Sequence, residues 1–130
     1  MTDKTILLLV DDDQEDQEIF DMALEKLGSG VKLLTANNGE EAIQLLLNEP
    51  QKPHYIFLDL NMPRMNGKQF LYSIKDHHFI TQIPVVIYST SSSHEDEKEL
   101  MRLGAKRFIT KPDNVAKITE IISDVIRTVD

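Results

Sequence analysis

The sequence contains no cysteine, which excludes a disulfide framework and any thiolate metal site. It has no apolar run near the ~20 residues that a membrane-spanning helix needs. Its start, Met1-Thr2-Asp3-Lys4-Thr5, lacks the basic and long apolar regions of a signal peptide, so a cytoplasmic protein is the default expectation. Positive charge is scarce. With 14 Lys and Arg against 22 Asp and Glu, the formal charge is −8. That balance argues against nonspecific nucleic-acid binding and favours solubility and a basic partner surface. Linkers, low-complexity tracts and a second domain are also missing, so the 130 residues are expected to form one domain. A chain of this length buries roughly 65–70% of its unfolded surface and needs no staples.

What is present is a strand–helix alternation repeated five times. Ile6 to Val10 is a short apolar run stopped by Asp11-Asp12-Asp13, which reads as a central parallel strand. A helix follows from about Gln14 to Leu27, with Phe20, Leu24 and Leu27 on one stripe, and Gly28 ends it. Val31 to Ala36 is the second strand, and its Lys32 suggests an edge. Asn38 and Glu41 look like a capping pair opening the second helix. The third strand, Tyr55 onward, ends on Asp59, and the third helix runs from about Gly67 to Asp76. Pro84 to Tyr88 is the fourth strand. The fourth helix runs from about His94 to Leu103, with Ser91-Ser92-Ser93 as its expected cap and Gly104 as its stop. Lys106 to Thr110 is a short, edge-like fifth strand. The fifth helix spans about Asp113 to Thr128.

This alternation predicts an α/β fold: a doubly wound, five-stranded parallel sheet of order 2-1-3-4-5 with five helices, flavodoxin-like in plan. In that order strands one and three are neighbours at the switch point. Asp11, Asp12 and Asp13 then meet Asp59 on the rim where ligands of open parallel sheets bind. Two carboxylates ~5 Å apart repel by roughly 3 kcal/mol at an effective dielectric of 20. Such a cluster requires a proton or a cation. Hard oxygen ligands without His or Cys point to magnesium, with manganese and calcium as alternatives. Lys111 ends strand five on the same rim and offers an ammonium; Ser89 ends strand four and offers a hydroxyl. A carboxylate nucleophile, a metal, an ammonium and a hydroxyl together make a phosphoryl-transfer site.

Each feature has a plainer reading. A lone Asp after a strand is commonly a turn or cap residue, and Asp13 reads better as a cap than as a ligand. Lys111 by itself would be a surface lysine, Ser89 a turn residue and Phe108 simple packing. His54, His77, His78 and His94 share no metal-like spacing and read as structural or surface groups. The acids of Glu95 to Glu99 suit the positive end of the fourth helix or a solvated face.

Taken together, Leu9-Val10-Asp11-Asp12, Leu58-Asp59-Leu60-Asn61-Met62-Pro63 with Gly67, Pro84-Val85-Val86-Ile87-Tyr88-Ser89, Gly104-Ala105 and Lys111-Pro112 resemble the motifs of a known family. The chain resembles the receiver domains of two-component response regulators, closest in plan to the single-domain chemotaxis type. The resemblance spans essentially the whole chain, and five motifs in register make it specific. It implies that Asp59 is phosphorylated by a sensor histidine kinase or a phosphotransfer protein. It implies that Asp12 contacts Mg2+ directly, Asp11 mainly through water, and Asn61 through its backbone carbonyl, with Asp59 completing the set. Ser89 and Lys111 would bind phosphoryl oxygens. Phe108 would occupy the switch-aromatic position, and the Lys111–Pro112 peptide would be cis. The face of the fourth helix, fifth strand and fifth helix would engage a downstream protein, or a second copy on phosphorylation, with no direct contact to nucleic acid or membrane. Such a protein is a signalling switch rather than an enzyme, acting only in its own phosphorylation and dephosphorylation.

Departures from the family pattern are modest. Ser89 stands where Thr is frequent, and Phe108 lacks a phenol. Asn61 and Ser91 stand at the two positions through which the resembled family partly tunes hydrolysis of its phosphoaspartate. Two other functions compete. A haloacid-dehalogenase-like phosphatase would place its nucleophile after the first strand, and Asp11 and Asp13 have the required Asp-x-Asp spacing. A phosphorylation-independent binding module of receiver shape would need neither metal nor acceptor.

Overall fold

A computed structural model of the chain describes residues 4–90 and 94–129. The expected Ser91-Ser92-Ser93 cap, and Ser91 as a lifetime-tuning position, lie outside the described residues. Five strands, β1 (Thr5–Val10), β2 (Val31–Ala36), β3 (Tyr55–Leu58), β4 (Val85–Ser89) and β5 (Arg107–Thr110), form one parallel sheet in the order β2-β1-β3-β4-β5. The helices are α1 (Gln14–Glu25), α2 (Gly39–Asn48), α3 (Gly67–Ser73), α4 (His78–Thr81), α5 (His94–Arg102) and α6 (Val115–Thr128). The edges foreseen from Lys32 and from the basic start of strand five are edges.

Central strands are buried on both faces, so alternate residues feed two separate cores. Leu8, Val10, Ile56, Leu58, Val85 and Ile87 pack with Ala42, Leu46, Phe70, Leu71 and Leu100. Leu7, Leu9, Phe57, Val86 and Tyr88 pack with Phe20, Leu24, Ile118, Ile122 and Val125 of α1 and α6. In the second core Phe20, Phe57 and Tyr88 form an edge-to-face trio with centroids 5.2–6.0 Å apart, a geometry that aromatic quadrupoles favour. A hydroxyl hydrogen bond from Thr119 Oγ1 to the Ala23 carbonyl (2.9 Å) ties α6 to α1.

Among the described residues six helices occur where five are expected. After α3 the chain tightens into a 3-10 turn (Ile74–Asp76) and His77 breaks it with φ −110° and ψ 87°. A single further turn, α4, then buries Ile80 in the core with Ile74, Ile83 and Val85. A periodic reading merges such a turn with its neighbour or misses it, because one turn carries too few residues to show a period. Capping follows the sequence closely. Asp13, Asn38, Asn66 and Asn114 each accept a backbone N–H three residues on. Glu41 does not reach back to complete a box with Asn38; its carboxylate takes Asn37 Nδ2 instead, at 3.2 Å. Gly104, at φ +112°, ends α5 in a conformation that a Cβ would disfavour.

Candidate phosphoryl-transfer site

Strand register assembles the rim. The last pairs of the ladders are Val10↔Ala36, Val10↔Leu58 and Ser89↔Thr110. Asp11, Asp59 and Lys111 each sit one residue beyond, where the backbone leaves the sheet. Each is held there by its own amide: Asp11 N–H donates to the Ala36 carbonyl (2.9 Å), Asp59 N–H to Val10 (2.9 Å) and Lys111 N–H to Ser89 (3.0 Å). Gly67, opening α3, crosses directly behind Asp59. A Cβ at that position would come within 2.8 Å of the Asp59 carbonyl oxygen and of the Leu60 side chain. Only glycine lets α3 start so close to the acid.

The geometry brings Asp11, Asp12, Asp59 and Lys111 together. Carboxylate oxygens of Asp11, Asp12 and Asp59 all lie within 4.8 Å of one another. Lys111 Nζ, on a side chain 8% exposed, is 2.7 Å from Asp11 Oδ2, 2.8 Å from Asp16 Oδ2 and 3.8 Å from Asp59 Oδ2. The ammonium also lies 5.7 Å from the centroid of the Tyr88 ring. Asp12, Asp16, Asp59, Asn61, Thr90 and Lys111 line an open cleft of about 500 Å³. Asp13 is not a ligand candidate: its carboxylate caps α1 by accepting the Asp16 amide (3.1 Å). This removes one member of the Asp-x-Asp pair and leaves the phosphatase alternative unsupported.

Electrostatics show the tension in this cluster. Burial pushes the Asp11 carboxyl up to about 6, against the opposing pull of Lys111 and of the Asp13 amide. Burial likewise raises Asp59, although the Lys111 charge and the Ser89 hydroxyl favour its carboxylate. Burial disfavours the Lys111 ammonium, but its bonds to Asp11 and Asp16 outweigh this and carry it above the ordinary lysine value. The Ser89 hydroxyl is buried and forms no hydrogen bond of ordinary geometry among the described residues, its proximity to Asp59 notwithstanding. A buried hydroxyl without a partner costs roughly 1–3 kcal/mol. Three hard oxygen donors, one of them exposed, beside an unpartnered hydroxyl and a single ammonium fit a divalent cation together with an anionic group.

Phe108 stands apart from the cleft. It pairs with Ile87 in the ladder, is half-buried and packs against the core beneath α5. The Lys111–Pro112 bond, expected to be cis from the family pattern, is trans, and no cis peptide occurs among the described residues; trans is the favoured isomer even before proline. His54 is structural: its Nδ1 accepts the Ile6 amide at 2.9 Å. The acids of α5 are more than a solvated face, since Lys68 at the start of α3 bridges to Asp96 (2.7 Å) and Glu99 (3.2 Å). Nothing in the sequence alone marks Asp16 as part of the site. It lies five residues after Asp11, in the first turn of α1, and only the fold reveals that it shares Lys111.

Comparison with known proteins agrees with this geometry. Residues 7–123 match the model of the response regulator receiver domain. The chain is 31% identical to protein PilH of Pseudomonas aeruginosa over 92% of its own length and 96% of that protein's. A crystal structure of the phosphorylated cyanobacterial phytochrome response regulator RcpA superposes with a TM-score of 0.86 at 27% identity, covering 98% of this chain and 96% of that one. The Mn2+-bound form of response regulator Rcp1 superposes with a TM-score of 0.81 at 25% identity, covering 95% and 93%. Other relatives are longer: the chain spans 15% of the sensor histidine kinase CheAY of Helicobacter pylori and 50% of the CpxR homolog of Haemophilus influenzae. No helix among the described residues is long and apolar enough to cross a membrane. With its strand order, its acidic rim and the matched span in agreement, the chain belongs to the receiver domain family of two-component response regulators.

Proposed function

We propose that residues 1–130 act as a single receiver domain in a cytoplasmic phosphorelay, with Asp59 as phosphoacceptor. The observation that carries the reading is the meeting of Asp11, Asp12 and Asp59 with the Lys111 ammonium and an unpartnered Ser89 hydroxyl. Asp11, Asp12 and Asp59, with the backbone carbonyl of Asn61, would hold Mg2+, which supplies positive charge to the transferring phosphoryl oxygens. A carboxylate oxygen of Asp59 attacks the phosphorus of a phosphohistidine on a sensor kinase or phosphotransfer protein. The P–N bond breaks, its electron pair leaves with the imidazole, and the imidazole takes a proton from solvent. Lys111 and Ser89 donate to the new phosphoryl oxygens, and the serine gains the partner that it lacks at rest.

The switch then runs through the sheet. Drawing Ser89 toward the phosphoryl group opens space beside Ile87, into which the Phe108 ring moves. The face formed by α5, β5 and α6 changes shape, and a downstream protein or a second phosphorylated copy reads it. The test is treatment with a small phosphodonor and Mg2+ followed by mass spectrometry. Wild type gains one phosphoryl mass and Asp59→Asn gains none. The same gain in Asp59→Asn refutes the assignment.

A further inference from the structure

Three carboxylates, Asp11, Asp16 and Asp59, lie within 3.8 Å of one ammonium. A lysine has three N–H donors. Lys111 reaches Asp11 and Asp16 at hydrogen-bond distance, 2.7 and 2.8 Å, but stands 3.8 Å from Asp59. At rest it leans toward β1 and α1 and away from the acid that it would serve. Its two anchors are unequal. The Asp11 side chain is 0% exposed, and its other oxygen accepts the Asp13 amide. The Asp16 side chain is 33% exposed and lines the open cleft. Stripping the ammonium from a buried carboxylate leaves an uncompensated buried charge, which is costly. A carboxylate with access to water gives up an ion pair at little cost.

We propose that Asp16 is a positioning residue: it parks Lys111 in the resting state and is the partner released when a phosphoryl group forms on Asp59. The inference rests on the reading of Asp59 given above. A phosphoryl group brings added negative charge and three strong acceptor oxygens. Lys111 answers it by turning one N–H from Asp16 toward the phosphoryl group while keeping Asp11. The released Asp16 carboxylate stays near the positive end of α1, which favours a negative charge there. The resting Asp16 contact therefore competes with phosphoryl binding and sets its strength.

The experiment is titration of the full chain with beryllofluoride at saturating Mg2+, in wild type and in Asp16→Asn, Asp16→Ala, Asp16→Glu, Glu15→Gln and Asp59→Asn. Asp16→Asn and Asp16→Ala should bind about three- to tenfold more tightly than wild type. That direction cannot arise from structural damage, which would loosen the site. Asp16→Glu keeps the competing carboxylate and should restore affinity close to wild type. Glu15→Gln removes an exposed charge from the same helical turn, and its effect should be smaller than that of Asp16→Asn. Equal or weaker binding by both Asp16→Asn and Asp16→Ala overturns the inference, as does a Glu15→Gln effect of the same size. If instead Asp59→Asn binds as well as wild type, the phosphoacceptor reading itself fails, and the inference falls with it.

Discussion

Stripped of divalent ions, the protein should become more stable, not less, when the pH is lowered from about 7.5 to about 5. The cause lies in Asp11. Burial lifts its carboxyl from 3.8 to about 6, so the ionised form is tolerated less well folded than unfolded. For an acid raised in the folded state, the stability linked to it is whole below the unfolded value and is lost as pH rises through the folded value. The window therefore runs from 3.8 to about 6. Across the full gap the linked energy is about 3 kcal/mol, of which about 1.4 kcal/mol is recovered in the step to about pH 5. Asp59 is raised by burial as well and adds in the same direction. Asp124, held low mainly by Arg107, gives up its contribution only at more acidic pH, outside this step. For a chain of this size ~1.4 kcal/mol corresponds to roughly 4–6 °C in Tm. The assay is thermal and urea unfolding followed by circular dichroism in excess chelator, for wild type and Asp11→Asn. The variant lacks the titrating group and keeps Lys111 paired with Asp16. Its response to acid should be smaller than that of wild type by about 1.4 kcal/mol. Saturating Mg2+ should shrink the wild-type response, because a bound cation stabilises the ionised acids at neutral pH. An Asp11→Asn protein that gains as much on acidification as wild type would falsify this account of the rim.

Three further outcomes are expected. Gly67→Ala forces a Cβ to 2.8 Å from the Asp59 carbonyl oxygen. It should cost about 1–3 kcal/mol in urea unfolding and slow phosphoryl uptake, because the shift falls on Asp59 itself. Lys68→Ala cuts both bridges from α3 to α5, which are more than a third exposed at the lysine; the stability loss should be under about 1 kcal/mol, with faster amide exchange in α5 by NMR. Phe20→Ala empties the aromatic trio and should cost about 3–5 kcal/mol in urea unfolding; a loss under about 1 kcal/mol would count against a tightly packed trio.

Much of this molecule is legible in its sequence alone. Apolar runs cut off by acids or hydroxyls located β1, β3 and β4, and the same stops supplied the site, because a parallel strand delivers its next residue to the rim. Asp11, Asp12, Asp59, Ser89 and Lys111 were therefore readable together, and Asp13 was readable as a cap. What escaped depends on distance across the fold. Nothing local to Asp16 says that it faces Lys111, which is 95 residues away. Nothing in Lys68 says that its partners lie on α5. The one-turn helix at His78–Thr81 and the positive φ of Arg64 (64°) are set by how the loops close over the core, and neither leaves a periodic trace.

The sheet separates two interiors that share backbone but no side chains. On the one side α1 and α6 are fastened to each other and to three interlocked rings. On the other, α5 is fixed through one fully buried leucine, Leu100, and a pair of exposed ion bridges. A disturbance at the rim therefore meets unequal resistance. If a partner reads the α5–β5–α6 face, as proposed above, the weakly held α5 would supply most of the movement and the α1–α6 pair the firmer reference.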